Sequence, residues 1–537
     1  MDDVADIERV LREAGQPPGT VSLENLQVSS DKVILHPIPT RDPNDPLNWS
    51  TWRKSLNLSL AMLYVVMTFV QLDIGFTAWN DYQNELGLSV PVLNGGTAFG
   101  YAGLGIGSFV FIPLMHKYGR RPLYIFSTAL QLAAAVWLAR TQNKTDMWIS
   151  NVIAGLGGAT CETIVQVTIT DLFFIHQHAA MNAFYMFAAQ VGTFLGPVAA
   201  GYVVESMDWR WIYYFCVIFF GVLLLLVVFC YEESKYAVAP GEESQLAHDV
   251  AMKVSTEHVD DPQRKASVGT GDFQDGIDRT QSRSYVNHNI PMKPYRERMA
   301  LITPSKGSIF HGMLEPFSAL FVFPAVFYTA LTYGTLLAVF AILTTVQATY
   351  MFSPPYNFSA VGVGLMNIAP FVGTVPGVFI GGWLNDKSIV LLSRRNNGIY
   401  EPEMRLWMAL PFAIIAPAGI LMLGVGLAYG VAWPMLAVGY GFFGFTMTVV
   451  GTITLSYCMD CYHAVIGTAM VGIIFTRNMF SVAVLFALSP WTEAMGLLFC
   501  AILLIPVLLL KWGKKARAAT AKKYFEMAER QPTHRKL

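Results

Sequence analysis

Long apolar runs alternate with short polar turns along most of this chain. Twelve runs stand out, at about 55–78, 93–115, 122–141, 147–169, 182–204, 211–231, 317–346, 361–384, 406–429, 432–456, 464–487 and 492–511. A helix of roughly 18 to 25 apolar residues crosses a hydrocarbon core of about 30 Å. The runs fall six and six about a polar stretch at 232–316. This pattern predicts an all-α membrane protein of twelve transmembrane helices in two six-helix pseudo-repeat bundles. The segments read as a cytoplasmic N-terminal stretch (1–54), a first bundle (55–231), a linker (232–316), a second bundle (317–511) and a basic cytoplasmic tail (512–537). The linker is rich in Ser, Asp, Glu, Gln and Gly, a composition that predicts disorder. The first 50 residues hold no apolar core of a signal peptide.

Composition agrees with a bilayer-embedded chain. Apolar residues make up 54% and charged residues 14%, where a soluble domain carries about 25% charge. The net charge of −1 carries little information, and no nucleic-acid partner is expected. The placement of cations says more. Arg53 and Lys54 precede the first span; Lys117, Arg120 and Arg121 follow the second; Lys387, Arg394, Arg395 and Arg405 separate the eighth and ninth; Lys511, Lys514, Lys515 and Arg517 follow the last. All fall on one side, which the positive-inside rule assigns to the cytoplasm, with both termini.

One basic turn occurs twice. Leu114, His116, Lys117, Gly119, Arg120 and Arg121 leave the second span, and Gly382, Asp386 and Lys387 leave the eighth. A charged turn recurring six spans later implies duplication, and duplicated membrane bundles move solutes by rocking one half against the other. Asp171 and Asp460 close the fourth and tenth spans on the same side, placed to pair with these turns as gate latches.

Charge inside the spans is the next signal, because it costs roughly 2.5–3.5 kcal/mol at mid-bilayer on insertion scales. Glu162 lies about fifteen residues into the fourth span, roughly 22 Å deep. Asn151, Gly155, Gly158, Glu162 and Gln166 share one helical face, which predicts a cavity wall. Desolvation is expected to raise the Glu162 pKa toward neutrality and suit it to proton coupling. Arg477, beside Asn478 in the eleventh span, needs an acid from the other half or an anionic substrate. The first span offers a polar stripe through Asn57, Ala61, Tyr64, Thr68, Gln71 and Gly75. Asp73 lies off that stripe, either in an outer gate or proton site or at a solvated helix end. Tyr328, Thr332 and Thr335 share a face of the seventh span and offer cation–π or hydroxyl contacts to a substrate. In the fifth span, Gly192, Gly196, Pro197, Ala200 and Gly201 combine small residues at close-packing spacing with one proline.

With these motifs the chain resembles the major facilitator superfamily, specifically the fungal twelve-span proton-coupled drug and metabolite transporters. The turn there reads Gly-x-Leu-x-Asp-Arg-x-Gly-Arg-Arg/Lys; Ile112 and His116 replace its Gly and Asp, while the second copy keeps Asp386. The resemblance implies that the turns form charge latches, with His116 weakening the first or making it pH-sensitive. It also makes Gly192, Gly196, Pro197 and Gly201 an antiporter-type signature. Asn151 stands where many drug antiporters carry Arg. Asp45–Trp49, Trp209–Ile212 and Glu401–Leu406 resemble fungal members more widely, and the combination of Asn151, Glu162 and Asp171–Phe174 is similar to the subgroup of the yeast histidinol and polyamine permease. The implied function is proton-coupled efflux of a drug or secondary metabolite from a plasma membrane. The alternatives are uptake of polyamine-like cations and a non-transporting sensor.

Other classes find no support. No Gly-x-x-x-x-Gly-Lys-Ser/Thr loop exists for an ATP-driven pump. Cys458 and Cys461 form a lone C-x-x-C without a second pair for a metal. The expected partners are a small-molecule substrate, protons and the bilayer, with no cofactor, no metal, no enzymatic activity and a monomeric state.

Overall fold

The computed structural model describes residues 21–22, 40, 42–236, 290–302, 315–396, 399–462, 465–491 and 505–530 of the 537. Eleven of its helical segments are long and apolar enough to cross a membrane. The first bundle comprises α1 (Thr51–Asp73), α2 (Val90–Tyr118), α3 (Arg121–Ala139), α4 (Lys144–Leu172), α5 (Ile175–Gln190, continuing through a π turn at Val191–Leu195 into Gly196–Ser206) and α6 (Arg210–Cys230). The second comprises α7 (Pro324–Tyr350), α8 (Ala360–Arg395, with its own π turn at Ile380–Leu384), α9 (Leu406–Ala428), α10 (Trp433–Cys461) and α11 (Ile466–Trp491). A last helix, α12, is Ile505–Arg530. Most of the twelfth expected run lies outside the described residues.

Local chemistry sets the helix ends. Ser50 and Asn143 accept from backbone N–H groups in the first turns of α1 and α4. Gly119 ends α2 at φ 110°, a conformation that L side chains rarely adopt. The basic turn therefore requires glycine at that position.

The two bundles solve the same packing problem alike. A Cβ on Gly155 of α4 would stand 2.0 Å from the Gly100 carbonyl oxygen of α2. A Cβ on Gly373 of α8 would stand 2.1 Å from the Gly441 oxygen of α10. The backbones of α2 and α4, and those of their counterparts α8 and α10, touch directly. Without a hydrophobic drive between helices in lipid, such close contact is what holds them together. The first bundle has one large buried cluster, centred on Tyr64, Val65, Ile164, Val165 and Phe220. The second has separate clusters around Phe340 and Phe443 and around Phe323 and Tyr457.

Helix α5 reaches across between the bundles. Gly192 and Gly196 sit against α1, while Pro197 and Gly201 meet Gly364 and Ala360 of α8. Proline lacks the backbone donor that would satisfy a carbonyl one turn earlier, and the π turn at Val191–Leu195 lies there. Pro197 thus accompanies a change of helical register as well as a bend.

Several sequence expectations change. The expected seventh span is two helices, Glu315–Val322 and Pro324–Tyr350, because Phe323 before the proline is extended. The first span ends at Asp73 and loosens into a 3-10 turn at Ile74–Ala78. The basic tail is anchored. It continues α12, and Arg517, only 1% exposed, donates to both carboxylate oxygens of Glu403 at 2.8 and 2.6 Å. Both ends of the linker pack on the first bundle: Glu232 pairs with Arg53, and Arg121 donates to the Met299 carbonyl. Residues 237–289, expected to be disordered, lie outside the described residues.

Candidate functional site

Between the bundles, at mid-depth, stand the two charges singled out in the spans. Glu162 of α4 is 4% exposed and forms an ion pair with the Arg477 guanidinium of α11. The Asn478 side-chain amide donates to the other Glu162 oxygen at 3.3 Å. A carboxylate from one half thus meets a guanidinium and an amide from the other. Burying either charge alone would cost several kcal/mol; their pairing offsets part of that cost.

The pair is not saturated. Arg477 Nε and Asn478 Oδ1 are buried and have no hydrogen-bond partner among the described residues. Buried polar atoms are rarely left so. One spare donor and one spare acceptor beside an ion pair suit a polar group entering the site. Three tyrosines surround it: Tyr185 of α5 and Tyr101 of α2 lie within electrostatic reach of both charges, and Tyr333 of α7 within reach of Arg477. None of the three was found from sequence. They sit among many tyrosines on helices whose apolar residues run all the way round, so periodicity did not distinguish them.

The expected stripe of α4 divides. Gly155 and Gly158 are packing positions against α2 and against α1 and α3, so only part of that face borders a cavity. Asn151 donates to the Met147 carbonyl of its own helix at 2.7 Å, and Gln166 is half-buried. Tyr328 and Thr332 are buried in the second bundle, Tyr328 edge-on to Tyr457.

Asp73 is not a solvated helix end: it is 8% exposed. It lines a cavity with Gln71, Asn151 and Tyr101, on the side of the ion pair away from the basic turns. Gln71 and Asp73 border this cavity together although both lie within α1, whose last residue is Asp73 before the 3-10 turn begins.

The face carrying the basic turns is built from ion pairs. Arg120 donates to both Asp171 oxygens at 2.8 and 3.2 Å, and the Ser234 hydroxyl joins at 3.2 Å. Glu233 accepts from the backbone N–H groups of Arg120 and Arg121, both at 3.0 Å, and so caps α3. Lys235 donates to the carbonyls of His116 and Lys117; burial first, then the neighbouring Arg120, pushes its pKa below the usual lysine value. Leu114 packs on the first bundle's core. In the second copy the partners differ from expectation. Asp460 bonds Arg405 and the Tyr400 hydroxyl, and Arg405 also holds Asp386 at 3.0 Å. Lys387 instead lies over the Trp383 ring at 3.8 Å. Gly382 has open space around it. Arg405 lies outside the turn motif, which is why the motif did not point to it.

A family model described as Major Facilitator Superfamily matches residues 57–487. The chain is 30% identical over 515 residues to Protein HOL1 of Saccharomyces cerevisiae, covering 89% of this chain and 87% of that one. It is 25% identical over 498 residues to the citrinin biosynthesis cluster MFS transporter mrr1 of Monascus ruber, covering 89% and 90%. In fold it is similar to the proton:xylose symporter XylE, with a TM-score of 0.55 at 12% identity, covering 87% and 96%.

Proposed function

The chain belongs to the Major Facilitator Superfamily, and from that premise we propose that it is a proton-coupled secondary transporter of small organic compounds. The carrying observation is the Glu162–Arg477 pair, which joins the two halves at mid-depth. A proton or a cationic substrate group competes with the guanidinium for Glu162. Once Glu162 is neutralised, Arg477 and Asn478 are released toward the substrate and the halves separate there. Alternating access follows when only the empty pair and the fully exchanged site let the bundles rock.

The direction proposed is export by proton antiport at a plasma membrane, with the basic face and both termini cytoplasmic. Helix α5, carrying the antiporter-type residues against α8, supports this reading. So does the likeness to a transporter named for a biosynthetic cluster. Uptake of polyamine-like cations is the second reading, favoured by Asp73 as an additional buried acid on the far side.

Flux in proteoliposomes separates these readings, with rhodamine 6G and spermidine as probes. Accumulation of a probe driven by an acid lumen is the expected result. Accumulation only with an acid exterior would mean symport and uptake. No flux of either probe under either gradient would contradict the proposal and favour the sensor.

A further inference from the structure

The cavity beside Asp73 differs in kind from the central pair. Its only charged lining residue is Asp73 itself; no Lys, Arg or His lines it among the described residues. Thr193 of α5 is within hydrogen-bonding reach of the carboxylate, but a hydroxyl leaves the charge uncompensated. A buried carboxylate without a cation beside it is costly. The walls supply what an organic cation needs. Phe76, Trp79, Tyr82, Tyr101 and Tyr213 line the space, and aromatic faces attract cations. Gln71, 3% exposed, lines it too, and its Oε1 has no hydrogen-bond partner. An acceptor oxygen near a carboxylate suits a group with more than one N–H to donate.

We propose that this cavity is a second binding site, distinct from the Glu162–Arg477 pair, that takes a protonated organic amine: ammonium on Asp73 and Gln71, apolar body among the rings. It rests on the transporter reading above and adds a substrate class and a stopping place. Tyr101 connects the two sites, lying within electrostatic reach of Asp73 and of both central charges. Thr344 and Thr345 of α7 close the cavity from the second bundle, so rocking of the halves opens or reshapes it. An amine held here is one step from Glu162.

The test is equilibrium binding of radiolabelled phenethylamine, one ammonium on one ring, to the full-length protein in nanodiscs. Wild type is expected to bind saturably, and phenethyl alcohol, which lacks the charge, is expected not to compete. D73N is expected to weaken binding about thirtyfold or more, the loss for one partner of a buried charge pair. Should D73N fail to elute as a monodisperse species, N151L, which fills the same cavity without touching the acid, is expected to lose binding instead. No saturable binding to wild type, competition by the alcohol, or wild-type affinity in the folded D73N or N151L variant would overturn the site. Loss in E162Q with full binding in D73N would overturn it while leaving the central-pair reading intact.

Discussion

Glu162 and Arg477 make a pair whose members are not separately removable. R477Q leaves a carboxylate buried beside two amides and is expected to cost about 3–5 kcal/mol. E162Q/R477Q removes both charges and is expected to be more stable than R477Q alone. Thermal unfolding of the variants in detergent checks this, and a double variant less stable than R477Q would argue that the two charges do not interact. Both residues were legible in the sequence, because a charge in an apolar run is conspicuous. Their pairing was open there, since Arg477 had two candidate partners, an acid or an anionic substrate. Asp73 was legible as a charge but not as a buried one. Its burial goes with α1 loosening after it and with Thr193 of α5 reaching its carboxylate, a neighbour far away in sequence.

At the level of the helices, glycines decide where backbones meet. G155A places a methyl where the Gly100 carbonyl already stands. Overpacking of this kind costs about 1–3 kcal/mol, so a clear drop in melting temperature is expected, and an unchanged value would contradict the contact. The spans themselves were readable because lipid demands unbroken apolar helices. Departures appear where proline or a tertiary anchor intervened. Pro324 split the seventh run. Glu403 anchors Arg517 of the basic tail within α12. The α4 stripe shows the limit of phase reasoning: small residues on a face predict a cavity and a helix contact equally well, and here Gly155 and Gly158 are contacts. The basic turns were visible as motifs, but Arg405, the actual partner of Asp460, lies outside them, in the Glu401–Leu406 stretch, where nothing in the sequence pointed to that pairing.

Across the whole molecule, the halves meet closely on the face away from the basic turns. Gly201 and Pro197 of α5 touch Ala360 and Gly364 of α8, and Phe99 meets Phe486 at 5.8 Å. Transport requires this seam to open and close. A Cβ on Gly201 would stand 2.5 Å from the Ala360 oxygen. G201V is therefore expected to hold the seam apart, expressing and binding substrate but cycling slowly. Proteoliposome flux at the wild-type rate would show that the seam need not close. At mid-depth the same two halves are joined by the Glu162–Arg477 pair, the point where the proposed mechanism links proton, substrate and rocking.

The most direct test of that linkage compares two fluxes of one variant, E162Q, in proteoliposomes with a probe that wild type carries. A fixed neutral amide permits substrate exchange but removes the group proposed to take up the proton. Proton-gradient-driven accumulation is expected to be lost, while counterflow of labelled against unlabelled substrate at equal pH persists. Gradient-driven accumulation by E162Q at the wild-type level would contradict the account.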